Sequence, residues 1–581
     1  MIVILIWWIQ FFIITCALGF LTIKILSKYL PGVEHRSNFF RVFWLGFVVL
    51  IAMLQFVSLF SPINYYSLLA LWMISIITIF IWRKELLITW VGLKKEDASQ
   101  YLQALFVFAI AVTTLFVLFS ATQGIYQFDA YLYHFNAVRW INEFPAVPGL
   151  IHIQERLAFN SSFFLFAALN NSWFVQDAYY HTALSFLVVI TAIQWIAVLF
   201  SRNYTWKQKL FVISTAPFVL VAIVLSKRVS SVSTDLSTFL ISLVFALELL
   251  SQDRFRYIFL AGLSACVFSF KLIGLPAIIV FMILIVFKLC KRVFKNRSVK
   301  SSSIKILLAS GIFFGMGITG FLLRNAILSG WLLYPVPVEI LNLNLPWSIP
   351  LADVMQMNEI TTHFARTGSP GVTMAFFKWI IVWLGEWRSH FEILLLFVSL
   401  LLILVNLSIP GIRRMVCGFY EQYIMVTLYG VLSLALWFYG APALRMGRVY
   451  FWIFFAIACL PVMLYIKIQA EKKVGRMVYL AFFLVITFVF YNYPHQFFAR
   501  EKPALITLKK PQFWPVAKVA INNDRPPLEI YVPLPGQRYP LCGNSPLPCT
   551  HDPKSLVTNR VRQRVPGDLS KGFKRDTARS D

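Results

Sequence analysis

The sequence predicts an all-α polytopic membrane protein with about fourteen transmembrane helices. Two observations lead to this class. The 581 residues are 59% hydrophobic and 17% aromatic but only 13% charged, so most of the chain is suited to a lipid environment. Apolar runs close to the roughly 20 residues that cross about 30 Å of hydrocarbon recur from the first residues to about Tyr491.

The apolar run from Ile2 to Leu21 predicts an uncleaved first span, because no charged segment precedes it and no small-residue cleavage site follows it. The later spans follow from hydropathy and length, with boundaries good to a few residues. They are predicted at about residues 42–60, 65–82, 103–121, 178–200, 209–226, 235–250, 256–270, 272–290, 305–326, 391–409, 421–440, 449–467 and 477–492.

The predicted spans leave two long loops and a Pro-rich tail outside the hydrocarbon. The apolar run from Ser162 to Trp173 is too short to span and predicts an interfacial or re-entrant helix. A second short helix, amphipathic, is predicted around Val354 to Phe364. The organisation is therefore transmembrane helices in 1–120, 178–326 and 391–492, long loops in 121–177 and 327–390, and a small extramembrane domain in 493–581.

Lysine and arginine are concentrated in the loops on one side of the predicted membrane, and short basic loops stay in the cytoplasm. With fourteen spans, both termini lie on the opposite side. We therefore expect a multi-pass membrane protein with the two long loops and the tail facing the exterior. The tail is long enough that the charge rule constrains it weakly.

The formal net charge of +27 does not indicate nucleic-acid binding, because the charge is spread over many short loops instead of one patch with interleaved aromatics. Attraction to anionic lipid head groups explains it better.

Two of the seven cysteines, Cys542 and Cys549, lie close together in the tail, where a disulfide could close a short loop in an oxidising compartment. The alternative is two free thiols in a cytoplasmic tail. A zinc site is disfavoured, since only His551 lies near and no CxxC pattern is present. The other cysteines lie in or beside apolar spans and behave as small hydrophobes.

The first long loop carries the candidate catalytic residues. Backbone in hydrocarbon cannot leave polar groups unpaired, so the polar stretch 127–150 must lie outside the lipid or line a wet cavity. Asp129 is the predicted general base, and His134 would tune or orient it. Two alternatives stay open: Asp129 only caps the helix Ala130 to Ile141, or the base is Glu143 or Glu155 of the same loop.

Cationic side chains at span ends on the same side of the membrane predict a site for a phosphate-bearing ligand. The alternative for any single cation is that it snorkels to lipid phosphate, whereas the whole set favours the ligand site. Asp235 would orient a sugar hydroxyl or a cation, unless it only caps its helix. The predicted phosphate ligands are Arg324 and Arg445, then Lys271, and the remaining predicted substrate contacts are Asp235, Tyr133 and Asn325.

Seven segments, in chain order, resemble a family of bacterial multi-spanning proteins related to the GT-C glycosyltransferases. They are FDAYLYHFNAVRWI, VPGLIHIQERLAFNSSFF, SSVSTDL, FKLIGLP, RNAILSGWLLYPVP, WFYGAPALRMG and LPCTHDP. That superfamily includes protein O-mannosyltransferases and lipid A aminoarabinose transferases, which use polyprenyl-phosphate sugar donors. The resemblance implies a GT-C-like fold and an acidic base in the first large outward loop, at Asp129. Ala130 follows it, where superfamily members often carry a second acid.

The resemblance to a bacterial family implies the bacterial inner (plasma) membrane, with the active site facing the periplasm or exterior. We therefore expect an integral membrane glycosyltransferase with a polyprenyl-phosphate sugar donor, a glycan, lipid or protein acceptor and membrane lipids as partners. A multi-spanning transporter or flippase and a ligase or polymerase of lipid-linked glycans are the alternatives. No nucleotide-binding signature and no HExxH pattern is present, so no cofactor is assigned. A divalent cation bridging phosphate to Asp129 or Asp235 stays open.

Overall fold

A computed structural model describes most of the chain. The described residues are 1–33, 38–91, 100–124, 127–171, 179–224, 229–293, 301–368, 376–387, 390–469, 515–521, 527–534 and 541–575.

Long apolar helices make up most of the described chain. They are α1 (Ile2–Tyr29), α2 (Phe39–Phe60), α3 (Tyr65–Val91), α4 (Gln100–Ala121), α5 (Phe135–Glu143), α6 (Ser162–Leu169), α7 (Tyr179–Phe200), α8 (Trp206–Val224), α9 (Thr234–Leu249), α10 (Arg256–Phe270), α11 (Leu275–Val293), α12 (Ser301–Ser329), α13 (Leu351–Thr367), α14 (Phe376–Trp387), α15 (Phe391–Ser408), α16 (Pro410–Cys417), α17 (Tyr420–Gly440), α18 (Leu444–Gln469) and α19 (Pro553–Thr558).

Ten helices of the described residues are long and apolar enough to cross a membrane: α1, α2, α3, α4, α7, α11, α12, α15, α17 and α18. The chain is therefore a membrane-embedded polytopic helical protein. Helices α8, α9 and α10 coincide with three further predicted spans, and α10 is a shorter apolar helix of 15 residues. The predicted span 477–492 lies outside the described residues, so the total of fourteen stays a prediction.

Charged and polar contacts join the helices at the two ends of the bundle. At one end, here called the basic end, Arg41 of α2 binds Glu248 at the end of α9, with 2.6 Å between Nη2 and Oε1, and also pairs with Asp253. Nearby, Arg256 of α10 binds Glu421 at 2.6 Å. These ion pairs join α2 to α9 and α10 to α17 at this end.

Close helix packing in the core depends on small residues. A Cβ on Gly46 of α2 would lie 1.8 Å from the carbonyl oxygen of Thr15, and one on Gly19 of α1 would lie 1.9 Å from that of Val42. Any larger side chain at either position would push α1 and α2 apart. Small residues let membrane helices approach in this way, because packing rather than hydrophobicity holds helices together in lipid.

The first long loop lies across the opposite end of the bundle, here called the loop end. It contains a π-helical turn, Ala130–His134, which leads directly into α5, and its predicted interfacial helix is present as α6. The loop is bound to the ends of several spans: Ile63 N donates to Ile141 O at 2.9 Å, Ala146 N to Ser58 O at 2.7 Å, Gly149 N to Ile327 O at 2.9 Å, and Ser161 Oγ to Phe270 O at 2.7 Å.

The tail adds β-structure that the all-α prediction did not include. Strands β1 (Val516–Ile521) and β2 (Leu528–Pro533) pair antiparallel, as do β3 (Val561–Gln563) and β4 (Phe573–Arg575). Between these hairpins, Cys542 and Cys549 form the disulfide that the sequence suggested.

The described tail packs on the first long loop. Gly543 N donates to Tyr131 O at 2.8 Å, inside the π-turn, and Arg139 Nη1 donates to Asn544 O at 3.1 Å. Phe573 N donates to Pro148 O at 2.9 Å, an approach that only a glycine at 572 allows, since its φ is +84° and a Cβ there would lie 1.9 Å from Pro148 O. The tail and the first loop therefore lie at the same end of the bundle.

Loss of the disulfide should loosen the tail from the π-turn. Closing a loop with a sequence separation of 7 contributes roughly 2–3 kcal/mol in the chain-entropy account. The Cys542→Ser/Cys549→Ser double variant should therefore show faster hydrogen exchange in residues 541–550 and in Tyr131–His134. Cys290→Ser, at an exposed free cysteine, is the matched control. Unchanged exchange in the π-turn would contradict this role.

Candidate functional site

The π-turn positions Asp129 and His134 and sets how their side chains are used. Asp129 precedes the turn with φ −61° and ψ −26°, and its side chain makes no capping hydrogen bond. The N-cap interpretation of Asp129 is therefore wrong, because an N-cap needs extended backbone to reach the free N–H groups of the first turn. π-turns inside helices are frequent at functional sites, since the extra residue redirects neighbouring side chains.

Asp129 forms an ion pair across the loop end. Its Oδ2 lies 3.0 Å from Nη1 of Arg445, which is in the first turn of α18. The carboxylate side chain is 15% exposed and the arginine side chain 40% exposed, so the pair lies at a wet boundary. The structure thus joins the predicted base to one predicted phosphate ligand, from residues 316 positions apart.

Asp235 and Lys271 form the second ion pair of this end. Lys271 Nζ donates to Asp235 Oδ1, and both side chains are largely buried. Ser233 is the actual N-cap of α9, accepting from Leu236 N at 3.4 Å, so the capping interpretation of Asp235 is also wrong. Lys271 lies at the end of α10, where the chain turns into the short 3-10 helix Leu272–Gly274.

His134 lies near both ion pairs. Its ring is 2% exposed, and the charges of Asp129, Asp235, Lys271 and Arg445 all act on it. Burial lowers the pKa of His134 to about 4, so the ring is neutral at pH 7. Its Nδ1 has no hydrogen-bond partner among the described residues, so His134 does not orient Asp129 through a direct bond at that atom.

Tyr133 places its ring against His134, with centroids 4.4 Å apart in an edge-on arrangement. Burial and the nearby negative charge of Asp129 raise the pKa of its hydroxyl, which therefore stays protonated. Asp129, Tyr133, His134, Asp235, Lys271 and Arg445 together form one polar cluster at the loop end, here called the loop-end cluster.

Lowering the pH should destabilise the fold through buried histidines. A folded-state pKa below the unfolded value means that only the unfolded state gains protons as the pH falls through about 6.5, so stability is lost toward acid. Burial also lowers the pKa of His152 to about 4. Each histidine should cost about 2 kcal/mol between pH 7 and pH 5.

The measurement is the thermal unfolding midpoint of purified protein across this range. His134→Gln and His152→Gln should each make the loss of stability between pH 7 and pH 5 smaller by about 2 kcal/mol. Parallel curves for the wild type and both variants would show that neither ring is held neutral.

Arg324 and Asn325 lie outside the loop-end cluster, contrary to the predicted grouping. Arg324 is 5% exposed and shares no ion pair with a carboxylate of the described residues, and its Nη1 lacks a hydrogen-bond partner there. Asn325 Nδ2 donates to Leu332 O at 3.0 Å, which closes the turn after α12. Position near a span end predicts depth along a helix but not the direction in which the side chain points.

The two alternative bases of the first loop, Glu143 and Glu155, lie outside the loop-end cluster. Glu143 is paired with Arg139 at 2.6 Å in an exposed i,i+4 pair. Glu155 is an exposed residue of the 3-10 helix Glu155–Ala158, and its electrostatic neighbours include Asp353 of the second loop and Arg575 of the tail. Neither carboxylate shares an ion pair with Arg445 or Lys271.

Sequence reasoning missed two features of this end. Arg448, one turn after Arg445, pairs with Glu392 at the start of α15. Tyr334 stacks on Phe159, with ring centroids 5.6 Å apart, and links the two long loops. In the sequence, Glu392 is an acidic residue in the first turn of a helix, where acids are common because they interact favourably with the helix dipole. Nothing in the sequence therefore indicated its ion pair with Arg448.

The part of the chain that the structure describes contains no group of three His, Cys, Asp or Glu side chains placed to hold a metal ion. The loop-end cluster instead offers two carboxylates, two cations, a phenol and a neutral imidazole. Such a set can exchange a proton and hold an anion without further ligands.

The bundle and its loop-end cluster define a polytopic helical membrane protein with a compact set of charges at one end. Residues 1–452 match the family model described as "Domain of unknown function (DUF8201)", and the chain belongs to this family. Comparison with curated proteins and comparison with solved structures each gave no match.

Proposed function

We propose that the protein is a glycosyltransferase that moves a sugar from a polyprenyl-phosphate-linked donor to an acceptor hydroxyl at the loop end of the bundle. The observation that supports this most directly is the ion pair between Asp129 and Arg445 beside the Asp235–Lys271 pair. It brings a proton acceptor and two phosphate-binding cations into one cluster where spans meet a polar loop. The resemblance of seven segments to GT-C glycosyltransferases supports the same reaction.

Binding of the donor would rearrange these ion pairs. The donor phosphate is an anion that suits a guanidinium fork, so it competes with Asp129 for Arg445 and with Asp235 for Lys271. The carboxylate of Asp129, released from Arg445, then faces the bound sugar. The lipid chain of the donor stays in the bilayer, beside the exposed apolar surfaces of the spans.

The transfer step balances with these groups. The acceptor oxygen bonds to the anomeric carbon, the bond from that carbon to the phosphate oxygen breaks, and polyprenyl phosphate leaves. The proton of the acceptor hydroxyl passes to the Asp129 carboxylate. Arg445 and Lys271 stabilise the negative charge that grows on the leaving phosphate, and neutral His134 and Tyr133 offer hydrogen bonds to the sugar.

The two loops and the tail would face the periplasm, since they lie opposite the loops that are rich in Lys and Arg. The membrane would then be the bacterial inner membrane. A cysteine-accessibility experiment with single cysteines in residues 541–575 and in α16, on a background without other cysteines, would test this orientation.

The test of function uses purified protein in proteoliposomes with a panel of polyprenyl phosphosugars carrying hexoses, pentoses and amino sugars. Release of polyprenyl phosphate above that of empty liposomes is the expected result. The absence of release with every donor would contradict the proposal, and movement of fluorescent lipid-linked glycans across the same liposomes would then favour the transporter alternative.

A further inference from the structure

A second polar cluster lies where the two long loops meet the tail. Glu155 and Arg156 come from the first loop, Tyr334 and Asp353 from the second, and Arg575 from β4 of the tail. We call these five residues the junction site. Asp353 Oδ2 and Arg575 Nη1 lie 2.5 Å apart, so an ion pair joins the second loop to the tail. Three separate parts of the chain thus contribute to one site.

A buried hydroxyl at this site has no partner within the protein. Tyr334 is 3% exposed, its hydroxyl makes no hydrogen bond to the described residues, and its electrostatic neighbours are Glu155, Arg156 and Asp353. Nearby, Nδ1 of buried His152 and Nε of Arg575 also lack partners among the described residues. Buried polar groups are nearly always hydrogen-bonded in folded proteins, so a ligand bound here would supply the partners that these groups lack.

The junction site is connected to the loop-end cluster by stacked rings. Tyr334 packs on Phe159 with centroids 5.6 Å apart, and Phe159 packs edge-on against Tyr133 at 5.9 Å. The hydroxyl of Tyr133 has both Asp129 and Arg156 as electrostatic neighbours. A ligand in the junction site would therefore extend along these rings toward the proposed base.

The chemistry of the junction site differs from that of the loop-end cluster. The carboxylates of Glu155 and Asp353, with Asp552 as a further neighbour of Glu155, outnumber the guanidinium groups of Arg156 and Arg575. A phosphate is disfavoured by this negative balance. Hydroxyl groups suit it, because they donate to carboxylates and accept from guanidinium, and the partly buried ring of Phe159 offers an apolar face.

We infer that the junction site binds the acceptor of the reaction, and that this acceptor is a neutral, hydroxyl-rich saccharide. Calling this ligand an acceptor rests on the proposed function, but saccharide binding can be measured without turnover. The donor would enter from the lipid at the loop-end cluster, and the acceptor would enter from water between the loops and the tail.

The experiment measures binding of full-length, detergent-purified protein to a panel of neutral oligosaccharides built from hexoses, N-acetylhexosamines, deoxyhexoses and pentoses. Acidic oligosaccharides and inorganic phosphate are included for comparison. Tyr334→Phe removes only the hydroxyl, and its control is Tyr439→Phe at a residue that is 72% exposed. Glu155→Gln is matched by Glu359→Gln on the exposed side of α13.

We expect the wild type to bind at least one neutral saccharide, with affinity about five- to tenfold weaker in Tyr334→Phe and in Glu155→Gln and unchanged in both controls. Saccharide binding needs neither a donor nor turnover, so a protein that fails to transfer sugar can still pass this test. No binding to any neutral saccharide, equal binding by Tyr334→Phe, or equal loss in the Tyr439→Phe control would each overturn the assignment.

Discussion

Asp129→Asn should lower the rate of sugar transfer by at least about 100-fold while leaving the protein folded. The amide keeps the size of the carboxylate and can still accept a hydrogen bond, but it cannot take the proton of the acceptor hydroxyl. Loss of the ion pair with Arg445 should change stability by less than about 1 kcal/mol, because the arginine side chain is 40% exposed. The measurement is release of polyprenyl phosphate at equal folded yield.

Glu143→Gln makes the same chemical change at the exposed carboxylate paired with Arg139, 14 residues further along the first loop. It should keep transfer within about twofold of the wild type, since its carboxylate does not face the two cations. Equal turnover in Asp129→Asn and the wild type would remove Asp129 as the base. Loss of turnover in Glu143→Gln alone would assign that role to Glu143.

Arg445→Gln should raise the KM for the phosphosugar donor and lower kcat/KM by about 100-fold or more. The guanidinium is lost both from the phosphate and from the Asp129 carboxylate. Arg445→Lys should recover part of the activity, because an ammonium supplies the charge but not the two-pronged hydrogen bonding of arginine. Steady-state kinetics over a range of donor concentrations separates the two effects.

Arg448→Gln is the control on the same helix. Arg448 pairs with Glu392 of α15, outside the loop-end cluster, so its loss should reduce stability more than donor affinity. A structural role for the Asp129–Arg445 pair predicts that the charge-exchanged Asp129→Arg/Arg445→Asp protein is both stable and active. Our proposal predicts that this protein folds and does not transfer sugar.

The helices could be predicted from the sequence because lipid enforces long apolar runs, and residue position along a run gives depth. Thirteen of the predicted spans coincide with helices of the described chain. The positions of Arg445, Lys271 and Asp235 at the ends of apolar runs also predicted that they lie at the same end as Asp129. The sequence does not show toward which neighbour each side of a helix turns. Arg324 was therefore predicted to join a cluster that its side chain does not reach.

Local residue preferences gave wrong interpretations at positions where contacts with distant segments determine the structure. Aspartate is a favoured N-cap, but Asp129 pairs with Arg445 and Asp235 with Lys271, since each lies opposite a cation from a distant segment. The strands of the tail were missed because they are three to six residues long, and β4 contains the phenylalanine and arginine that contact the two long loops. Such strands are specified by what they pack against.

The ion pairs at the two ends of α9 give this helix unequal ends. At the basic end, Glu248 is held by two nitrogens of Arg41, and Asp253 and Ser251 bind the same guanidinium, so every part of that arginine is satisfied. Thirteen residues away, about 20 Å along the helix, Asp235 depends on a single lysine that a ligand can compete for. A ligand that enters the site should therefore displace the loop end of α9, while the ion pairs keep its basic end in place.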